Sequence, residues 1–198
     1  MDWIGNSKSI YTTLGASNHT DKEREMNDYY ATNPIAIDAL LEKCDLSKDT
    51  PVWECACGSG ELSNRLIELG FRVFSTDLVY RGFGKGGVDF LKQNSNFDGY
   101  ILTNPPYKYA KEFVEHALKL TDKSVFMFLK LQFLEGKARR KLFNTGQLKT
   151  VYVSSSRILC AKNGDFEKMI AGGGSAVAYG WFEFQRGYNG DTTIKWIN

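Results

Sequence analysis

The chain has 198 residues, of which 42% are hydrophobic and 24% charged, and a net charge of +2. That length can bury one good core, and the composition is that of a soluble protein, which excludes a disordered or fibrous chain. A charge so near zero excludes bulk attraction to a polyanion, so any nucleic-acid contact must come from a local basic patch.

The opening MDWIGNSKSIYTT lacks the basic start and apolar run of a signal peptide, and no apolar stretch approaches the ~20 residues that span a bilayer. Cys44, Cys55, Cys57 and Cys160 form neither a disulfide framework nor paired CxxC arms. Cys55 and Cys57 lie two apart in an apolar run and read as small core residues on one strand face, which fits a reducing cytoplasm.

The polar stretch to Asn27, with a charge run at Asp21–Glu25, predicts an irregular arm over residues 1–27. Asn33-Pro34 then starts a helix with a buried stripe of Ile37, Leu40, Leu41 and Cys44. PVWECACG reads as a buried strand, ELSNRLIELG as a helix with Leu62, Leu66 and Leu69 on one face, and RVFSTDL as a second strand ending near Asp77. Tyr80–Gly87 is glycine-rich where a doubly wound fold usually has a helix, and a short third strand is expected near Val88. GYILTNPPY is a fourth strand, followed by a helix that buries Ala110, Phe113, Val114, Ala117 and Leu118. SVFMFLKLQF is a fifth strand, followed by a basic helix, KARRKLFNTG. KTVYVSSSRI and SAVAYGWFEFQ are two late strands joined by a loop with Gly172, Gly173 and Gly174. Strands alternating with helices predict an α/β fold: a mostly parallel sheet with helices on both faces. Without a helix between the two late strands, the last is expected to run antiparallel.

Two turns carry chemistry. The first strand ends in Glu54-Cys55-Ala56-Cys57-Gly58-Ser59-Gly60, where two glycines let a ligand approach the backbone at a helix N-terminus. Asp77, with Leu78 beside it, then closes the second strand, placed to accept hydrogen bonds from a ribose diol. This is a nucleoside site. A nicotinamide dinucleotide site shares the geometry, but the third glycine of GxGxxG is missing. The second turn is Asn104-Pro105-Pro106-Tyr107. An amino group conjugated to an aromatic ring is a poor nucleophile. An Asn oxygen and the Pro105 carbonyl can take both of its hydrogens and favour a pyramidal nitrogen. The second proline sets the direction of that carbonyl in advance, and Tyr107 offers a flat face for stacking a base.

NPPY resembles the motif of amino-methyltransferases that act on adenine. The order of elements is similar too: Asp28-Tyr29-Tyr30-Ala31-Thr32-Asn33-Pro34, the GxG turn, Asp77, Asp89-Phe90, then NPPY. With Ala178-Tyr179-Gly180-Trp181-Phe182 and Ile194-Lys195-Trp196-Ile197 included, the chain resembles the small phage-type adenine-N(6) DNA methyltransferases over roughly residues 15 to 198. The resemblance implies a Rossmann-like methyltransferase fold with S-adenosyl-L-methionine as cofactor. Thr32 and Tyr30 would contact its methionine part, Glu54 and the turn Ala56, Cys57, Gly58, Ser59, Gly60 its other side. Asp77 would hold the ribose, and Asp89 and Phe90 the adenine. Asn104, Pro105, Pro106 and Tyr107 would hold a flipped target base. That chemistry needs no metal.

The larger DNA methyltransferases carry a separate target-recognition domain. Here a single catalytic domain over 28–198 is expected without one. Candidate substrate contacts are Asn18 and His19 in the arm, Lys137, Arg139, Arg140 and Lys141 in the basic helix, and the glycine loop. His116 reads as structural. The implied partner is nucleic acid, DNA ahead of RNA, with no membrane. Similar turns serve RNA-adenine and protein-glutamine methylases, and a cofactor-binding subunit targeted by a partner protein is a further alternative.

Overall fold

The computed structural model describes residues 29–162, 164–172 and 174–198. The expected arm, with Asn18, His19 and the Asp21–Glu25 run, lies outside the described residues, as does Gly173.

β2 (Val52–Glu54), β4 (Tyr100–Thr103) and β5 (Val125–Lys130) are apolar runs buried on both faces, as central parallel strands require. With β3 (Val73–Ser75), β6 (Leu148–Ser154), β8 (Tyr179–Phe184) and β9 (Thr193–Ile197) they form one seven-stranded sheet in the order β3-β2-β4-β5-β8-β6-β9. β8 is antiparallel to both neighbours and every other pairing is parallel, so the expectation of a late antiparallel strand holds.

The two-residue period of β5 divides the core. Val125, Met127 and Leu129 face a cluster with α3 (Ala110–Leu120), whose buried Ala110, Phe113, Val114, Ala117 and Leu118 are those expected from its spacing. Phe126 and Phe128 face the other cluster, with α1 (Ile35–Leu41) and α2 (Glu61–Glu68). α1 begins after Pro34 and buries Ile37 and Leu40, but it ends at Leu41, so Cys44 lies beyond it. Cys55 and Cys57 are buried free thiols, but β2 ends at Glu54, so they lie in the turn after it and not on one strand face. His116 is structural: it bonds the Gln93 carbonyl at 2.8 Å and stands edge-on to Phe90.

Four expectations need correction. No strand forms at Val88. Thr76 makes a single bridge to Lys85, and the chain then enters a 3-10 turn at Phe90–Lys92, because the glycines before it offer no side chains to pack as a strand. The basic helix is a 3-10 turn, Lys137–Arg139, and one α-turn, α4 (Arg140–Phe143), since only Leu142 is buried there. The late strands are joined by more than a loop: β7 (Cys160–Lys162) and α5 (Phe166–Ala171) lie between them. β7 pairs antiparallel with β1 (Tyr30–Thr32) in a separate two-stranded sheet. Finally, β9 extends the main sheet, its Ile194 and Trp196 exposed. No helix among the described residues is long and apolar enough to cross a membrane.

Trp181 ties the halves together. Fully buried on β8, it donates its indole N–H to the Ala36 carbonyl of α1 at 2.7 Å. Trp181→Phe loses that bond and leaves a void, so urea denaturation should register a loss of about 1–3 kcal/mol.

Candidate functional site

The strand order reverses direction between β2 and β4, and open α/β sheets bind ligands beyond the carboxyl ends of such strands. The glycine turn leaves β2 and the NPPY turn leaves β4, so the fold brings the two together.

In the glycine turn, Gly58 (φ 57°) and Gly60 (φ 95°) take left-handed backbone that other residues rarely adopt. A Cβ on Gly58 would strike the Tyr29 ring, and one on Gly60 the Phe83 ring. Both glycines are therefore covered by aromatic faces, and Arg81 lies over the Tyr29 ring at 4.4 Å. The Tyr29 hydroxyl accepts from Ser59 N–H at 3.2 Å. Asp77 spans the turn: Oδ2 accepts from Gly58 N–H and Oδ1 from Val79 N–H, both at 2.9 Å. Leu78 is 56% exposed beside it.

Glu54, at the end of β2, is 2% exposed and accepts from the Ser63 hydroxyl, which also bonds Ser75. Burial, with Glu61 and Asp77 nearby, pushes its carboxyl from the ordinary 4.5 up to about 8. The acid is thus neutral near pH 7.

Phe90 is buried against Trp53 and Phe113, so its ring is core. Asp89 caps the 3-10 turn through Leu91 N–H at 3.1 Å and pairs with Lys92 at 3.2 Å. A cleft of about 390 Å³ beside β3, lined by Trp53, Phe74, Thr76, Lys85 and Val88 among others, shares no residue with either turn.

In the NPPY turn, the Asn104 amide is locked. Its Nδ2 donates to the Tyr30 carbonyl at 3.1 Å and to Thr32 Oγ1 at 2.8 Å. Its Oδ1 is buried with no hydrogen-bond partner among the described residues. Pro105 is buried, and Pro106 (φ −54°, ψ 122°) is extended with its carbonyl taken by Tyr109 N–H at 2.8 Å. Tyr107 is not a free stacking face. Its hydroxyl donates to that of Tyr179 at 3.1 Å, its ring packs beside Tyr30 and Tyr179, and Lys130 Nζ lies 4.5 Å from its centroid. Burial raises its phenol above the ordinary range.

The structure divides the basic cluster. Arg139 bonds the carbonyls of Phe133 (2.7 Å), Gln132 (3.2 Å) and Glu135, and stacks on the Phe133 ring, so it holds its own loop. Five N–H donors beside a turn of carbonyls bind them. Lys137, Arg140 and Lys141 are exposed and make no ion pair among the described residues. Sequence reasoning missed Ser63, Arg81, Phe83, Lys130 and Cys160 at the site. Of these only Lys130, a cation at a strand's carboxyl end, carried a signal. No group of three or more His, Cys, Asp or Glu among the described residues could hold a metal ion.

The raised Glu54 carboxyl favours folding while protonated. That contribution is full below pH 4.5 and is lost as pH rises through about 8. Glu54→Gln keeps the contact without the charge. Denaturation midpoints across this range should show the variant gaining on the parent by on the order of 3–5 kcal/mol toward alkaline pH. A constant difference would mean that Glu54 is ionised throughout.

No family model matches the sequence, and no curated protein does. The fold has clear neighbours among solved structures. A modification subunit ascribed to a type I restriction enzyme of Vibrio vulnificus is 14% identical (TM-score 0.55) over 94% of this chain and 48% of its own. The chain therefore spans about half of that protein. A protein assigned to the class I S-adenosylmethionine-dependent methyltransferases of Listeria monocytogenes is 10% identical (TM-score 0.51) over 82% of this chain and 62% of its own. A protein described as an O-methyltransferase of Agrobacterium tumefaciens is 8% identical (TM-score 0.52) over 83% and 84%. The chain has the Rossmann-like fold of S-adenosylmethionine-dependent methyltransferases.

Proposed function

We propose that the chain is an S-adenosyl-L-methionine-dependent methyltransferase that modifies the exocyclic amino group of adenine in DNA. The observation that carries this reading is the Asn104 amide. Its nitrogen is fully occupied, while its oxygen is buried without a donor. Leaving a buried acceptor unpaired costs free energy, and such an atom is a docking point for a donor. An amino group suits it, with one hydrogen to Asn104 Oδ1 and the other to the Pro105 carbonyl, which accepts no backbone N–H among the described residues. Both acceptors pull the nitrogen toward pyramidal geometry and free its lone pair.

The residues around the glycine turn fit the cofactor. Asp77 has spare lone pairs beyond its two backbone partners and can accept from a ribose diol. Leu78 offers an apolar face for a purine. Tyr29 and Phe83 lie on the turn, where an incoming cofactor would replace their contacts with Gly58 and Gly60. When bound, the cofactor supplies a methyl group on a sulfonium, an electrophile that a neutral amine can attack. The protein's part is alignment and exclusion of water. The DNA assignment draws on the resemblance carried by NPPY, on the restriction-modification neighbour and on the exposed Lys137, Arg140 and Lys141. That neighbour is a subunit, which also supports a partner protein in targeting.

Labelled methyl transfer to DNA, RNA and total cell protein tests the substrate directly. Label should appear as methylated adenine in DNA, and label confined to RNA or to protein glutamine would move the assignment there. Asn104→Ala should lower turnover by about two to three orders of magnitude while cofactor affinity stays near normal. Near-normal turnover in that variant would reduce the turn to a structural role.

Asp77→Ala should weaken binding of S-adenosylhomocysteine by about 1–3 kcal/mol in calorimetry. Tight binding of a nicotinamide dinucleotide with none of S-adenosylhomocysteine would overturn the cofactor assignment.

A further inference from the structure

The asparagine of the NPPY turn is held by a strand 72 positions away. β1 and β7 pair with Thr32 opposite Cys160, and this short ribbon lies against the end of β4. Thr32 is 3% exposed, and its hydroxyl oxygen accepts from Asn104 Nδ2 at 2.8 Å. The polar groups around it are all internal: Asn104, and the Cys160 thiol at 3.9 Å. Resting on the function proposed above, we infer that Thr32 is a positioning residue. It holds still the Asn104 amide, whose NH2 end is set by the Tyr30 carbonyl, so that Oδ1 stays aimed at the acceptor amine.

The orientation is decided by chemistry at two points. The Tyr30 carbonyl has no hydrogen, so the amide end 3.1 Å away must be the NH2 group. A half-turn of the amide would set Oδ1 against that carbonyl oxygen, and would also present a donor to an amine that offers donors. Thr32 adds a second anchor, its oxygen accepting the other Nδ2 hydrogen. A hydroxyl can donate as well as accept, so the Tyr30 carbonyl decides which end of the amide is NH2 and Thr32 holds the amide in place. Valine has nearly the same shape and no hydroxyl, so Thr32→Val removes one of two anchors while keeping the packing. The amide then moves more freely about its one remaining anchor, and the amine is aligned for a smaller share of the time. Cofactor affinity is not touched by this change, since the hydroxyl is engaged with Asn104. This differs from a methionine-binding role for Thr32.

Two measurements on the full chain test the assignment. In the first, the side-chain amide resonances of Asn104, identified by their loss in Asn104→Ala, are followed by hydrogen exchange in ¹⁵N-labelled protein. The parent should show both hydrogens protected, Thr32→Val should exchange at least about tenfold faster, and Thr32→Ser should restore protection. In the second, Thr32→Val should lower kcat by about five- to tenfold with an unchanged Kd for S-adenosylhomocysteine, and Thr32→Ser should recover most of the loss. Weaker S-adenosylhomocysteine binding with kcat and exchange unchanged would overturn the inference and make Thr32 a cofactor contact. If the parent transfers methyl to no substrate, the proposed function fails, and the exchange result still decides whether Thr32 holds Asn104.

Discussion

The parallel pairing of Val52 with Tyr100 and Trp53 with Ile101 is the constraint on which the rest depends. It sets the carboxyl ends of β2 and β4 side by side, so that two turns far apart in sequence leave the same edge of the sheet. The pairing persists because both strands are buried on both faces, with Val52 and Leu102 in one cluster and Trp53 and Ile101 in the other. A one-residue slip would exchange these faces and separate the turns. The site is therefore a product of core register before it is a product of its own residues.

Polar groups buried in the main sheet and the turns that leave it are handled in two ways. Glu183, 4% exposed on β8, is satisfied by Lys149, Ser124 and Tyr152, and keeps the late antiparallel strand in place. Asn104 Oδ1 and Thr103 Oγ1 have no partner among the described residues. The first arrangement is structural economy. The second, at Asn104, leaves a polar atom waiting beside a proline-locked carbonyl, which a fold selected only for stability would have little reason to keep.

The aromatic residues around the two turns are packed against each other and against the backbone. Tyr107 joins Tyr30 and Tyr179 under Lys130, while Tyr29 and Phe83 cover the glycines. In this arrangement the NPPY tyrosine is a positioned wall, and its hydroxyl has a role through Tyr179 that ring stacking alone would not give it. β1 and β7 contribute Tyr30, Thr32 and Cys160 to the same wall, so the small second sheet belongs functionally with the large one.

The sequence by itself determined the α/β alternation, the buried stripe of α3, the two-faced burial of β5, the glycine turn and the NPPY turn. These rest on local patterns: periodicity shows which face is buried, and glycine or proline fixes the backbone where it stands. Only the tertiary structure decided the rest. β1 and β7 are three residues each and become strands only because they meet across 128 positions at Thr32 and Cys160. The loop carbonyls that surround Arg139, and the Trp53 and Phe113 rings that enclose Phe90, are partners that no local spacing announces. The orientation of Asn104 likewise depends on a carbonyl from β1 that no spacing within the NPPY turn encodes. Local chemistry names the groups available for a site, but what each one touches is a property of long-range contacts that the chain makes only when folded.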